Sequence, residues 1–486
     1  MVPSLRVARL MRGSSSLLMA VSNMGDFALP LTRGICLARL LQPAEFGLAI
    51  SVTVIASVAE LITDLGVNQM AVRNGTPETI STLHSISAIR GLVLAAAIAL
   101  SGPLFAWLFH APGTAWVYVL VGFSSLIKSF AHLDVKMRMR NYDYVPEAVT
   151  NLGSHIVWTL VSVAMAFVLR DYRSMVIGLV AYTASYVAIS HLMSATWWRL
   201  GWHRETIAAS IAYGRPLMLN GIALAVTNMG DRTLTGAKIS LDQLAHYSVL
   251  ATSAFTPRTA LVKFLTSMFV PHFVNASDEV ERRRLTDLWM ILLSGLGAIF
   301  ALGYITFGQA IIVFVFGSKY QVGQTIIDLI ALLSCVRFMA SLPIAPSLAL
   351  GNTSLILANT VASTLGLAIG GAFLVGAPTL EALVLGMAIG EATALLWVTQ
   401  RLLRFVPATR AVLWSAIIVP LVGVSGLCAI FYISGGGNFE FRASLCAIGA
   451  LLETVFVLAL LRLSGSTIGS VVAALLPQRI VTPLRP

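Results

Sequence analysis

The sequence predicts an all-α polytopic membrane protein of about 14 transmembrane helices, because helices alone satisfy their own backbone in lipid and each crossing takes about 20 apolar residues. Three observations lead there. The 486 residues are 57% hydrophobic and only 11% charged, against about 25% charged in soluble domains. Long apolar runs alternate with short polar breaks, without the ten-residue alternation of a membrane β-barrel. The basic residues also gather in every second break, as cytoplasmic loops require.

In chain order the apolar runs place spans at 16–38, 44–64, 85–109, 114–133, 147–169, 174–195, 211–233, 243–265, 286–307, 323–345, 354–376, 379–400, 410–433 and 442–462. The ninth is expected to continue into the apolar stretch "AIIVFVFGSKY" (310–320). With the N-terminus inside, most of the 32 Lys and Arg residues fall in inner loops, including Arg73, Lys136, Arg138, Arg140 and Arg282 to Arg284. The outer loops receive Arg39, Arg170, Arg173, Lys319 and Arg442. This bias predicts both termini in the cytoplasm and accounts for the net charge of +11 without any nucleic-acid partner. The basic N-terminal segment "MVPSLRVARLMRGSS" reads as a cytoplasmic lead-in, not a cleaved signal peptide. The four cysteines are isolated in apolar surroundings, so they are expected to be small buried hydrophobes, and no metal site is expected.

The first span is oddly polar. "SNMGDFALPLTRGICLARLL" (22–41) puts Asp26, Pro30 and Arg33 into it, and "NMGD" recurs at 228–231 in the seventh span. Asp26 corresponds to Asp231, and Arg33 to Lys238. Seven residues are nearly two helical turns, so each acid shares a face with its base about 10 Å away. The repeat predicts two pseudo-symmetric six-helix lobes, 1–205 and 206–405, followed by two additional helices and a cytoplasmic tail in 406–486. Parallel repeats of this kind flank a central site and work by alternating access.

Several segments resemble one family. "LARLLQPAEFGLAI" (37–50), "ITDLGVNQMAVR" (62–73), "FLTSMFVPHFVNASDEVERRR" (264–284), "FVFGSKYQVGQTIIDLIAL" (314–332) and "LALGNTSLILANTVAS" (348–363) are similar to the polysaccharide, or oligosaccharide-lipid, flippases of the multidrug/oligosaccharidyl-lipid/polysaccharide exporter superfamily. The resemblance implies twelve core helices in two lobes with two extra C-terminal helices. It also implies a V-shaped cavity lined by the first, second, seventh and eighth helices, and a bacterial inner-membrane location. The implied substrate is an undecaprenyl-diphosphate-linked oligosaccharide destined for polysaccharide biosynthesis. Membrane lipids and other polysaccharide assembly proteins are the expected partners.

Moving a diphosphate through a low-dielectric region is costly, so cations inside spans become candidate ligands. Arg33 and Lys238 lead, followed by Arg258 in the eighth span and Arg232 beside Asp231. Asp26 and Asp231 either pair with these bases or bind a coupling H+ or Na+; no other cofactor is expected. Arg90, Lys128, Arg215 and Lys263, with Glu60, lie near inner ends and form a weaker cytoplasmic vestibule. Arg337 and Glu391 are deep enough to pair with each other. A cation-coupled multidrug exporter is the alternative function, and it would need an acidic, aromatic cavity. A membrane polysaccharide polymerase is a weaker one, because the outer loops are short. "HRE" (203–205) lacks metalloprotease spacing, and no phosphate-binding Gly-rich loop occurs, so no enzyme is expected.

Overall fold

In the computed structural model the described residues are 5–276, 278–351, 353–405, 408–434 and 439–464, and all of their regular structure is helical. The chain forms two compact units, 1–246 and 247–486. The first holds α1 (Leu5–Leu40), α2 (Pro43–Ile62), α3 (Val67–Arg73), α4 (Pro77–Leu108), α5 (Ala115–Ser129), α6 (Asp134–Arg138), α7 (Val145–Leu169), α8 (Arg173–Leu192) and α9 (Arg204–Lys238). It ends within α10 (Leu241–Asn275). The second holds the rest of α10, then α11 (Glu279–Phe316), α12 (Gln324–Met339), α13 (Ile344–Ala349), α14 (Thr353–Gly376), α15 (Leu380–Leu402), α16 (Arg410–Ile433) and α17 (Phe439–Leu463). The expected tail at 465–486 lies outside the described residues.

Local chemistry sets the helix starts. Thr76 accepts a hydrogen bond from the Thr79 backbone N–H ahead of Pro77 and Glu78, which opens α4. Asp278 and Thr379 do the same for Glu281 and Ala382, opening α11 and α15. As expected, α11 carries its apolar run onward, ending only at Gly317, whose φ of 105° an L side chain would resist.

Each of the fourteen expected spans falls on a helix, but composition supports fewer crossings. Among the described residues ten helices are long and apolar enough to cross a membrane, or eleven if α5 and the short helical stretch Asp134–Asn141, bent by 52°, form one broken span. The long helices outside that set are α1, α9 and α10, with 36, 35 and 35 residues. Length is ample in all three. Their polar and charged content makes them less apolar than the others, and they carry Asp26, Arg33, Asp231, Arg232, Lys238 and Arg258.

Within each unit the helices pair in the same order. In the first, α4 packs on α5, α7 on α8, and α5 on α8; in the second, α11 packs on α12, α14 on α15, and α12 on α15. A short helix follows a four-residue break in both, α6 after 130–133 and α13 after 340–343. The repeat therefore extends beyond "NMGD" into the packing. The packing boundary at 246 differs from the expected repeat boundary at 205, since α9 lies along α2 and α4 within the first unit. Additional helices α16 and α17 pack on α11, where Arg442 of α17 pairs with Asp328 of α12. Arg442 was expected in an outer loop; it is instead buried, because α17 begins before it and Asp328 supplies a partner.

Helices α14 and α15 touch backbone to backbone. A Cβ on Gly386 would lie 2.8 Å from the Gly370 Cα, and one on Gly390 would lie 2.6 Å from the Gly366 Cα. These small-residue pairs at four-residue spacing allow the close approach that drives helix association in lipid. Gly390→Val should therefore destabilise the purified protein by roughly 1–3 kcal/mol through overpacking. Gly423→Val, where a Cβ would meet nothing within 4 Å, should leave the melting temperature unchanged. Thermal denaturation of both variants checks this.

Candidate functional site

The first unit builds a polar interior from α1, α2, α5, α7 and α8. Arg33 of α1 is only 5% exposed, and its guanidinium carbon lies 3.6 Å from the centroid of the Trp158 ring on α7. Its Nε and Nη1 have no hydrogen-bond partner among the described residues. The Trp158 ring stacks on Tyr182 of α8 at 4.6 Å and on His155 at 5.9 Å. Tyr182 in turn lies 6.1 Å from Tyr186. The Lys128 ammonium sits over both tyrosines, 5.3 and 5.7 Å from their ring centroids, and donates to Glu60 Oε1 at 2.6 Å. A continuous column thus runs Arg33–Trp158–Tyr182–Lys128–Glu60. Helix periodicity makes it possible, since His155 and Trp158 are three residues apart and Tyr182 and Tyr186 four.

Two cavities meet at its ionic end. One, of about 270 Å³, is lined by the hydroxyl residues Thr53, Ser57, Ser124, Ser125 and Thr183 together with Glu60, Lys128, His155, Trp158 and Tyr182. The other, of about 480 Å³, includes Asp64, Asn68, Ser87, Arg90, Lys136 and Tyr186. They share Ser57, Glu60 and Lys128. Arg90 Nη1 donates to the Thr63 carbonyl at 3.2 Å, at the C-terminal end of α2 where helix carbonyls lack partners.

The second unit treats its charges differently. Arg337 of α12 makes a forked ion pair with Glu391 of α15, at 2.8 Å from Nη2 to Oε1 and 3.1 Å from Nε to Oε1. This is the pairing that their depth suggests. Arg258 of α10 donates from Nη1 to the Arg337 carbonyl at 2.6 Å and to Ser341 Oγ at 3.4 Å. That carbonyl lies in the last turn of α12, so the guanidinium caps the negative end of a helix.

A family of polysaccharide biosynthesis proteins matches residues 36–324. The chain belongs to that family. It is also 18% identical over 339 residues to an uncharacterized membrane protein in the cps region of Klebsiella pneumoniae, covering 66% of this chain and 68% of that protein. Among solved structures, the lipid II flippase MurJ in an inward closed conformation superposes with a TM-score of 0.59 at 12% identity, covering 91% of this chain and 99% of MurJ. A multidrug resistance MATE family transporter of the MOP superfamily gives 0.55 at 14% identity, over 80% and 98% of the two chains. The fold of this polysaccharide biosynthesis protein is that of a multi-pass membrane transporter.

The expected site residues separate within this frame. Asp26 accepts from Asn151 Nδ2 at 2.8 Å, so it and Arg33 both face α7. Asp231 is buried and accepts from the Arg232 backbone N–H at 2.7 Å, while the Arg232 side chain reaches the Asn228 carbonyl. Lys238 closes α9 and is exposed, unlike its repeat counterpart Arg33. Arg90 and Lys128 line one cavity, whereas Arg215 and Lys263 are exposed. Sequence reasoning missed His155, Trp158, Tyr182 and Tyr186. Their three- and four-residue spacing was available, but within apolar spans it does not stand out from ordinary packing.

The Glu60–Lys128 pair is open to the cavities, so water screens part of its attraction. Removing one partner still leaves the other charge unmatched inside the bundle. Lys128→Met should therefore destabilise the protein, and adding Glu60→Gln should restore part of the loss, with a coupling of about 1 kcal/mol. A double-mutant cycle on the melting of the purified variants checks this.

Proposed function

We propose that this protein is a flippase. In this reading it moves an undecaprenyl-diphosphate-linked oligosaccharide from the inner to the outer leaflet of the bacterial inner membrane, by alternating access of its two repeats, with both termini cytoplasmic. The observation that carries the reading is Arg33: a buried guanidinium over the Trp158 ring, with Nε and Nη1 unpartnered among the described residues. A planar fork with free N–H groups suits the oxygens of a diphosphate, and in a region of low dielectric each such contact counts for more than in water. Family membership supplies the biosynthetic context, and the MurJ likeness a fold suited to lipid-linked cargo. Basic residues such as Lys136, Arg138 and Arg140 beside the α5–α7 connection support an inner-leaflet placement of that end. Asp26 and Asp231 remain the acids proposed for H+ or Na+ coupling.

A second reading, export of organic cations, draws on Glu60 beside stacked aromatic rings. Lys128 opposes it by neutralising that carboxylate.

Arg33→Ala, expressed and inserted at wild-type levels, should abolish surface polysaccharide and leave the lipid-linked precursor in the inner leaflet. Arg33→Lys should retain a minor fraction of output, because an ammonium keeps the charge and loses the fork. Normal polymer output from Arg33→Ala, or drug efflux that depends on Glu60, would overturn the reading. Reconstitution with H+ or Na+ gradients imposed separately identifies the coupling ion.

A further inference from the structure

The cavity of about 270 Å³ has a hydrogen-bonding character opposite to that of Arg33. Thr53 donates its hydroxyl proton to the Ile50 carbonyl, Ser124 to Leu120, Ser125 to Val121 and Thr183 to Val180. Each hydroxyl proton is therefore spent within its own helix, and each oxygen keeps acceptor capacity. Glu60 is an acceptor as well, and Lys128, which donates one of its three ammonium N–H groups to it, is offset in charge by it. Two further lining residues hold buried polar atoms without a hydrogen-bond partner among the described residues, His155 Nδ1 and Trp158 Nε1. A wall rich in acceptors disfavours a phosphate, which at neutral pH is mostly an acceptor itself. An organic cation gains little either, since the one lining carboxylate is already paired. The ligand that matches spare hydroxyl acceptors beside aromatic rings is an uncharged molecule carrying several hydroxyl donors.

We infer that this cavity of the first unit is a saccharide subsite, which binds a sugar ring through its hydroxyl groups. The inference rests on the flippase reading for its biological cargo, and on the cavity's chemistry for the ligand class. The larger cavity continues from it at Ser57, Glu60 and Lys128 and adds Asn68, Ser87 and Tyr186. Arg33 is at the opposite end of the column from the Lys128–Glu60 pair, so the diphosphate and the sugar contact separate groups on one column.

The test is thermal denaturation of the purified full chain in a detergent without a sugar headgroup. The probes are glucose, galactose, mannose and N-acetylglucosamine, with inorganic pyrophosphate and tetraphenylphosphonium as contrasting ligands. At least one sugar should raise the melting temperature by about 2 °C, as a ligand present well above its Kd and selective for the folded state would. Ser125→Leu, which fills the cavity, should remove that shift. Thr183→Val keeps the side-chain volume, deletes one acceptor and should weaken the apparent sugar affinity about fivefold. Arg33→Ala should keep the sugar shift.

Absence of a shift with every sugar overturns the subsite. So does a pyrophosphate or tetraphenylphosphonium shift that Ser125→Leu removes, because the cavity then takes an anion or a cation. The two readings fail separately: normal transport by Arg33→Ala with an intact sugar shift defeats the flippase assignment of Arg33 alone. Arg33-dependent transport without any sugar shift defeats the subsite alone.

Discussion

A charge carried into a slab of low dielectric must be matched within a few ångströms or kept beside water, and this constraint organises both units. It explains why Glu60, Lys128, Arg258, Arg337, Glu391 and Arg442 sit where helices meet. Arg442 meets Asp328, Arg337 meets Glu391, Lys128 meets Glu60, and Arg258 meets a carbonyl at the end of α12. Each match fixes the rotation of two helices about their axes, because a side chain only a few bonds long can reach its partner from one face alone. Hydrocarbon contacts give no such instruction, since lipid and leucine are equally apolar. The ion pairs therefore serve as register marks for a bundle held together largely by close packing, as at Gly366 and Gly390.

The same constraint separates structural charge from functional charge. In the second unit Arg337 uses both edges of its guanidinium on Glu391, and its charge is offset where it stands. Arg33 has a ring face and no carboxylate in the described geometry, with two buried N–H-bearing atoms unpartnered. A cation–π contact contributes up to about 2 kcal/mol when desolvated, well short of what an unmatched buried ion costs. The residual is tolerable if an anion completes the site for part of a transport cycle.

Much of the fold was legible because hydropathy reports what the bilayer demands. All fourteen apolar runs lie on helices, and where the repeated "NMGD" predicts a duplication the two units share one order of helix pairing. Arg33 and the depth of Arg337 and Glu391 were legible for the same reason, since a charge inside an apolar run is visible in one dimension. Partners were harder. Glu60 and Lys128 read as separate charges near the ends of their spans, and only the packing of α2 on α5 brings them to 2.6 Å. The equivalence of Arg33 and Lys238 was a statement about sequence position, and burial differs because Lys238 is the last residue of α9 while Arg33 lies inside α1. Trp158 and Tyr182 carried no signal beyond their helical spacing to His155 and Tyr186, as an aromatic residue in a membrane span is ordinary until its neighbours are known.

A lipid-linked glycan joins two groups with incompatible hydrogen-bonding needs. Its diphosphate mostly accepts, while its sugars donate and accept. One uniform cationic cavity would bind the first well and leave the hydroxyl donors of the second facing cations. The first unit instead sets a donor-only guanidinium against the Trp158 ring and a cavity with spare acceptors along the rest of the column. Trp158 is common to both, lending a ring face to Arg33 while its indole lines the cavity. Such a division lets the diphosphate contact stay constant across substrates while cavity-lining residues such as Ser125 and Thr183 vary with the sugar. Specificity for a particular glycan then resides in hydroxyl and ring side chains of α5, α7 and α8, and the energetic problem common to all lipid diphosphates falls to one arginine on α1.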